Sequence, residues 1–170
     1  MRNKAVLIRG YDRRIGIVVA KGNVKNIRGV RDFLRDDIVI VNRTRGAGSR
    51  VLLDIFLKNL ARNMNMDFKD LIKKIKGYSY EVKTHTAIAA AIKQGRADAG
   101  IAIEYVAWKY DLDFIPITWE HYDFLIQKDS LKKYSVKKFI EYLQGEQIKK
   151  LVKKCPGYRI PDDIGNIIAD

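Results

Sequence analysis

The stretch Val41–Arg50, Val-Asn-Arg-Thr-Arg-Gly-Ala-Gly-Ser-Arg, combines residue types that bind small anions. Arginines supply positive charge and forked donors, and glycines let a ligand come close to the backbone. The first N–H groups of a helix lack intrahelical partners, and the helix dipole adds partial positive charge there. Because an apolar run, Ile38–Val41, enters the stretch and a helical pattern leaves it, the sequence predicts a strand, a turn and a helix start suited to an oxyanion.

Four residues of this stretch are candidate ligand contacts. Arg43 and Arg45 would supply charge, and Gly48 and Ser49 would supply donors at the helix start. Each has a simpler structural alternative. Arg43 can pair with an acid such as Asp54, Ser49 can cap the helix, and the glycine can serve turn geometry alone.

A second cluster of donors, Thr84, His85 and Thr86, precedes an alanine-rich segment of high helix propensity, Ala87–Ile92. A threonine here is a natural helix cap, and a protonated His85 can donate to an anion, although a structural hydrogen bond is the alternative. Ligands of open α/β sheets bind beyond the carboxyl ends of strands. Because both clusters follow predicted strands, we expect them to face the same crevice.

The elements that must position these clusters follow from hydrophobic periodicity and from glycine and proline punctuation. Strands are predicted at Lys4–Arg9, Ile15–Ala20, Ile38–Val41, Tyr78–Val82, Ala99–Ile103, Leu112–Ile117 and Tyr122–Ile126, with a turn at Gly10–Asp12. Helical segments are predicted at Val30–Arg35, Ala47–Asn63, Phe68–Lys76, Ala87–Ile92, Glu104–Tyr110 and Ser135–Lys154, the last broken at Gly145. Because strands alternate with helices, the predicted class is α/β, with a mainly parallel sheet flanked by helices.

Composition restricts the partners. The chain has 170 residues, 47% of them apolar, and a formal net charge of +13. Lysines and arginines alternate with acids along the whole chain, which is typical of a solvated surface rather than a nucleic-acid groove. No apolar run approaches the roughly 20 residues of a membrane span, and the N-terminus does not resemble a signal peptide. We therefore expect a basic, cytoplasmic protein with no membrane and no nucleic-acid partner.

The sequence offers no catalytic constellation. The single Cys155 excludes an internal disulfide framework and a multi-cysteine zinc site. Histidine, cysteine and acid spacings typical of a metal site are absent, as are a nucleophile elbow and a GxxxxGK[ST] phosphate loop. We expect no catalytic residue, no metal and no cofactor.

Several motifs together resemble a known family. They are Asn42-Arg43-x-Arg45-Gly46-x-Gly48-Ser49-Arg50, Thr84-His85-x-Ala87-Ile88-Ala89, Gly95-Arg96-Ala97-Asp98-Ala99-Gly100 and Leu112-Asp113-Phe114-Ile115-Pro116. They resemble the type II periplasmic-binding-protein-like domain related to molybdate and tungstate binding proteins. That domain is also found fused to molybdopterin-biosynthesis enzymes or DNA-binding regulators. The resemblance covers about Ile15 to Ile126 and implies two lobes that hold a ligand between them.

The chain departs from this family at its start, which falls near the first crossover strand, so most of the first lobe is expected to be missing. The expected organisation is crossover strands at 1–23, a second α/β lobe at 24–118, and a returning strand with C-terminal helices at 119–170. A chain or domain that supplies the missing lobe is a candidate partner, and so is a second copy of this chain.

These observations lead to one preferred function and two alternatives. The preferred function is non-enzymatic binding of a small oxyanion, molybdate or tungstate, at helix N-termini. The first alternative is a regulatory or protein-interaction domain of molybdenum-cofactor metabolism or transcription. The second, an enzyme of molybdenum-cofactor metabolism, rests on association at the level of the fold alone.

Overall fold

The computed structural model describes residues 4–169. Its α-helices are α1 (Gly48–Asn63), α2 (Phe68–Lys73), α3 (His85–Lys93), α4 (Glu104–Lys109), α5 (Tyr134–Gln144) and α6 (Glu146–Val152). Its strands are β1 (Ala5–Val19), β2 (Asn42–Arg43), β3 (Glu81–Val82), β4 (Ala99–Ile103), β5 (Asp113–Gln127), β6 (Tyr158–Arg159) and β7 (Ile167–Ala169). Two short 3₁₀ helices lie at Val30–Leu34 and Lys128–Lys132.

The chain divides into two compact units. The central unit is Ile15–Thr118, and the terminal unit combines the residues up to Arg14 with those from Trp119 onward. The two 15-residue strands, β1 and β5, each contribute one part to either unit.

The central unit is built on antiparallel pairing of β1 with β4, in the register Ile15↔Ile103 to Val19↔Ala99. A parallel bridge joins Ile40 to Ala99, and β2 pairs with β3 in parallel. Helix α3 packs on β4. A side chain at Gly100 of β4 is sterically excluded, because a Cβ there would lie only 2.6 Å from the carbonyl oxygen of Val41.

One large apolar cluster fills the central unit. Its fully buried members come from β1, the first 3₁₀ helix, the segment before β2, α1, α2 and β4: Ile15, Ile17, Val19, Phe33, Ile38, Ile40, Leu53, Leu57, Leu71 and Ile101 are among them. Helix α1 contributes Leu53, Leu57 and Ala61, which recur every four residues and therefore lie on one face.

The terminal unit has a smaller core. Strands β6 and β7 pair antiparallel with the first part of β1. Val6, Ile8, Leu143 and Ile164 are its buried residues, and Phe124 packs edge-on against Phe139 of α5 at 4.9 Å between ring centroids. Helix α5 presents an apolar face to this core, since Leu143 is buried and Phe139 and Ile140 pack on the cluster.

The prediction of a mainly parallel sheet is wrong, because β1 pairs antiparallel with β4, β6 and β7. The parallel pairings, Ile40 with Ala99 and β2 with β3, lie in the segment from Ile40 to Ala99. The predicted turn at Gly10–Asp12 is also wrong, because these residues lie inside β1. Gly10 is needed there for close approach: a Cβ would lie 1.8 Å from the carbonyl oxygen of Tyr122.

The helices match their predictions closely. Thr84 caps α3 and Gly145 separates α5 from α6, as expected, and Asp67 caps α2. Asp98 ties the start of its strand to a neighbouring backbone, since Val39 N donates to its Oδ2 at 2.8 Å. The predicted strand Ile38–Val41 is reduced to the single bridge at Ile40.

Candidate functional site

The arginine- and glycine-rich stretch forms the predicted tight turn and helix start, but its strand lies at Asn42–Arg43 rather than at Ile38–Val41. Strand β2 ends at Arg43, and Ala47 N donates to the Thr44 carbonyl oxygen at 3.2 Å to close the turn. Gly46 has a φ of 86°, a left-handed conformation that favours glycine. Helix α1 then begins at Gly48.

The two predicted clusters of donors are brought together by parallel pairing of β2 with β3, in the register Asn42↔Glu81 and Arg43↔Val82. Beyond the strands, Thr44 N donates to the Val82 carbonyl oxygen at 3.2 Å, and Arg43 Nη2 donates to the Lys83 carbonyl oxygen at 2.9 Å. Helices α1 and α3 both start just after these contacts. Their N-termini therefore lie at the carboxyl ends of adjacent parallel strands.

The start of α1 carries two observations that point to an anion. The helix is uncapped, because Ala47 occupies the cap position and no side chain bonds there. Ser49, the second helical residue, is 3% exposed, and its hydroxyl has no hydrogen-bond partner. A buried hydroxyl left without a partner costs free energy, so its retention calls for a reason. The alternative that Ser49 caps α1 is wrong.

The start of α3 is arranged differently. Thr84 Oγ1 accepts a hydrogen bond from Ala87 N at 3.0 Å, so this hydroxyl oxygen serves as the cap of α3. His85 is half-buried and its Nδ1 is shielded from solvent, whereas Thr86 is exposed. The amides of His85 and Thr86 precede the first intrahelical bond of α3.

The two candidate arginines differ in environment. Arg43 is half-buried and its guanidinium contacts the Lys83 carbonyl oxygen. Arg45 is exposed in the turn and forms no ion pair within residues 4–169. Asp54, the suggested partner of Arg43, instead accepts from Arg50 Nε at 3.2 Å.

Arg50 is the residue of this site that the sequence reasoning missed. Its side chain is 4% exposed, and Nη1 donates to Glu81 Oε1 at 3.0 Å and to the Arg43 carbonyl oxygen at 3.1 Å. Its guanidinium also stacks 4.2 Å from the centre of the Tyr78 ring. The spacing of Arg50 and Asp54, four residues apart on one helix, was the available signal.

The charge of Arg50 is held by these partners. Burial disfavours the charged form, but the hydrogen bond with Tyr78 and the charge of Asp54 outweigh it, so the pKa of Arg50 is raised. The pKa of Tyr78 is also raised, first by burial and then by the carboxylate of Asp54, which accepts its hydroxyl at 2.8 Å. Arg50 thus ties α1 to β2 and β3 as a permanent cation.

A family model described as a PBP superfamily domain matches residues 1–144. The chain belongs to this family. Among curated relatives, the uncharacterized protein YvgK of Bacillus subtilis (strain 168) is 38% identical over 146 residues. The match covers 86% of this chain and 44% of YvgK, so the chain spans less than half of that relative's length.

Solved structures of low sequence identity share the fold. The sulfate-binding protein SubI from Mycobacterium tuberculosis H37Rv superposes with a TM-score of 0.66 at 20% identity, over 91% of this chain and 58% of SubI. The substrate-binding domain of a putative molybdenum ABC transporter from Clostridium difficile gives 0.58 at 16% identity, over 92% and 67%. PEB3 bound to L-phospholactate gives 0.60 at 19% identity, over 90% and 68%.

A second cluster of charges lies in the terminal unit of the PBP domain. Asp12 is 2% exposed and accepts from Arg9 Nη2 at 2.8 Å and from Arg159 Nε at 2.8 Å, and His121 Nδ1 lies 2.6 Å from it. Burial raises the pKa of Asp12, but hydrogen bonds from His121 and Arg159 and the charge of Arg9 lower it overall. No sequence motif marks His121, because its partners Arg9 and Asp12 lie 112 and 109 residues away along the chain.

Within the described residues, no group of three or more histidine, cysteine or acidic side chains is placed to hold a metal ion. Over the same part of the chain, no helix is both long and apolar enough to cross a membrane. The predicted ligand contacts lie at two adjacent helix starts and in the strand and turn before the first of them: Arg43, Arg45, Gly48, Ser49, Thr84, His85 and Thr86. Their contact with a ligand stays a prediction.

Proposed function

We propose that this PBP domain binds a tetrahedral oxyanion, with molybdate or tungstate as the preferred ligands, at the adjoining N-termini of α1 and α3. The observation that carries the proposal is the uncapped start of α1, where the buried Ser49 hydroxyl has no partner, next to the start of α3. Unsatisfied amides and the helix dipoles favour an anion there, and Arg43 adds full charge.

The related structures support this class of ligand. SubI is described as sulfate-binding, the Clostridium difficile protein as the substrate-binding domain of a putative molybdenum transporter, and PEB3 as bound to L-phospholactate. Sulfate and the phosphate group of phospholactate are tetrahedral oxyanions, and so is molybdate. We propose that the domain binds its oxyanion without catalysing a reaction and that it does so in the cytoplasm. The alternative role, a regulatory or protein-interaction domain, stays a prediction.

Gly48→Ala tests the proposal. A Cβ at Gly48 meets nothing within 4 Å, so the alanine methyl enters the open space beside the first amides of α1. Alanine is also a better helix former than glycine by about 1 kcal/mol, so the variant should fold. Calorimetry with molybdate, tungstate, sulfate and phosphate is expected to show binding to the original chain and about tenfold weaker binding to the variant, equivalent to about 1.4 kcal/mol.

Gly29→Ala is the matched control, because its Cβ would also meet nothing within 4 Å and its φ is −173°, extended backbone that alanine adopts freely. It should bind oxyanions like the original chain. Ser49→Ala removes the unpartnered hydroxyl, so it should keep or raise stability while weakening binding. Absence of binding to all four anions, or equal effects of the two glycine replacements, would contradict the proposal.

A further inference from the structure

The central unit contains a groove that the oxyanion site does not use. Its volume is about 390 Å³, within the size range of small-molecule sites. Three walls surround it: residues 28–31 before and within the first 3₁₀ helix, one side of α1, and the strand segment 115–117. Ile17 of β1 completes its lining.

The groove is mostly apolar but has polar groups of two kinds. Val30, Phe56, Leu60, Ile115 and Ile117 supply apolar surface. Two asparagines of α1, Asn59 and Asn63, lie one helical turn apart and supply amide groups to the groove. An apolar lining with a few polar groups that fix orientation is typical of sites for organic ligands.

The charge of the groove comes from one wall only. Arg28 and Arg31 both line it, both are exposed, and neither guanidinium forms an ion pair within residues 4–169. The neighbouring acid, Asp32, is engaged by the backbone: its Oδ2 accepts from Arg28 N at 2.7 Å and from Gly29 N at 3.1 Å. Two arginine side chains therefore remain to receive an anionic group, which they bind through paired N–H donors.

From this arrangement we propose that the groove is a binding site for a small amphipathic carboxylate, with its carboxylate at Arg28 and Arg31 and its aliphatic body against Phe56, Leu60 and Ile117. The charge on one wall and the apolar surface on the others match the two ends of such a molecule. This site is separate from the helix starts of α1 and α3, since none of its lining residues belongs to them.

Calorimetry with decanoate, below the concentration at which it forms micelles, tests the proposal. Decanoate should bind the original chain, octanoate about tenfold more weakly for two fewer CH₂ groups, and decanol more weakly still. Arg28→Gln combined with Arg31→Gln should weaken decanoate binding by about tenfold or more, because charge-assisted hydrogen bonds are lost. Both side chains are exposed, so this double variant should fold.

Lys149→Gln combined with Lys153→Gln is the matched control. It also removes two positive charges, from a different groove of about 680 Å³ in the terminal unit, and should leave decanoate binding unchanged. Excess molybdate should not displace decanoate. Absence of decanoate binding, equal binding of decanol, loss of binding in the lysine variant instead, or competition by molybdate would each overturn the proposal.

Discussion

Arg50 is the charged residue that fixes the geometry of the proposed oxyanion site. It contacts the carboxylates of Asp54 and Glu81 and the carbonyl of Arg43, so one guanidinium joins α1, β2 and β3. The Arg50 side chain is buried, whereas the carboxylates of Asp54 and Glu81 are partly exposed. Loss of Arg50 leaves both carboxylates without their cation, which costs more than loss of a fully exposed pair.

Arg50→Gln is therefore expected to lower the free energy of unfolding by about 3 kcal/mol. Arg50→Lys should restore only part of this loss, because a single ammonium cannot reproduce the forked hydrogen bonds of the guanidinium to Asp54 and Glu81. Urea unfolding is the measurement. Lys73→Gln, which breaks the exposed pair with Asp70, is the control and should leave the free energy of unfolding nearly unchanged. A loss for Arg50→Gln as small as that of the control would show that the Arg50 cluster is not a structural tie.

At the scale of elements, the side-chain caps of α2 and α3 allow the effect of a cap on helix stability to be measured separately from an effect on ligand binding. Thr84 Oγ1 bonds Ala87 N at 3.0 Å at the start of α3, and Asp67 bonds Lys69 N at 2.7 Å at the start of α2. Both bonds satisfy an amide that its helix leaves without an acceptor. Only Thr84 belongs to the proposed oxyanion site.

Thr84→Ala and Asp67→Ala should each lower the free energy of unfolding by about 1 kcal/mol, because each loses its cap. Thr84→Ser should recover the stability, since serine caps equally well. Thermal unfolding measures these effects, and molybdate calorimetry on the same variants should show weaker binding for Thr84→Ala and none of that effect for Asp67→Ala. Unchanged stability of Thr84→Ala would mean that the hydroxyl does not act as a cap.

The same local signals explain which elements the sequence could predict. Thr84, Asp67 and Gly145 act within a few residues of their own positions. Their roles as helix caps and as a helix break can therefore be predicted from local sequence, without knowledge of the fold. The full length of β1 could not be predicted, because a glycine at position 10 is typical of a turn. Its actual role, close approach to the backbone of Tyr122 in β5, depends on the fold. The antiparallel pairing of β1 with β4 likewise depends on contacts between residues far apart in sequence, such as Ile15 and Ile103. For the candidate site, the two helix starts were predictable, whereas the Arg50–Glu81 contact between distant segments was not.

At the scale of the whole molecule, the two units differ in the apolar core that stabilises them. The central unit buries a large cluster from six elements, whereas the buried cluster of the terminal unit is Val6, Ile8, Leu143 and Ile164. Because burial of apolar surface is the main stabilising term, the terminal unit should open at lower free energy than the central unit.

Hydrogen exchange with increasing urea tests this order of opening. Amides of α5 should lose protection at lower urea than amides of β4 and α3. Gly10→Ala and Gly16→Ala provide matched changes in one strand, because a Cβ at Gly10 lies 1.8 Å from the Tyr122 carbonyl oxygen and one at Gly16 lies 2.2 Å from that of Ile115. The Gly10 variant should advance opening of the terminal unit alone, and the Gly16 variant should advance opening of the central unit. If either variant shifted all protected amides equally, the chain would unfold as one cooperative body, and the difference in core size would not govern its stability.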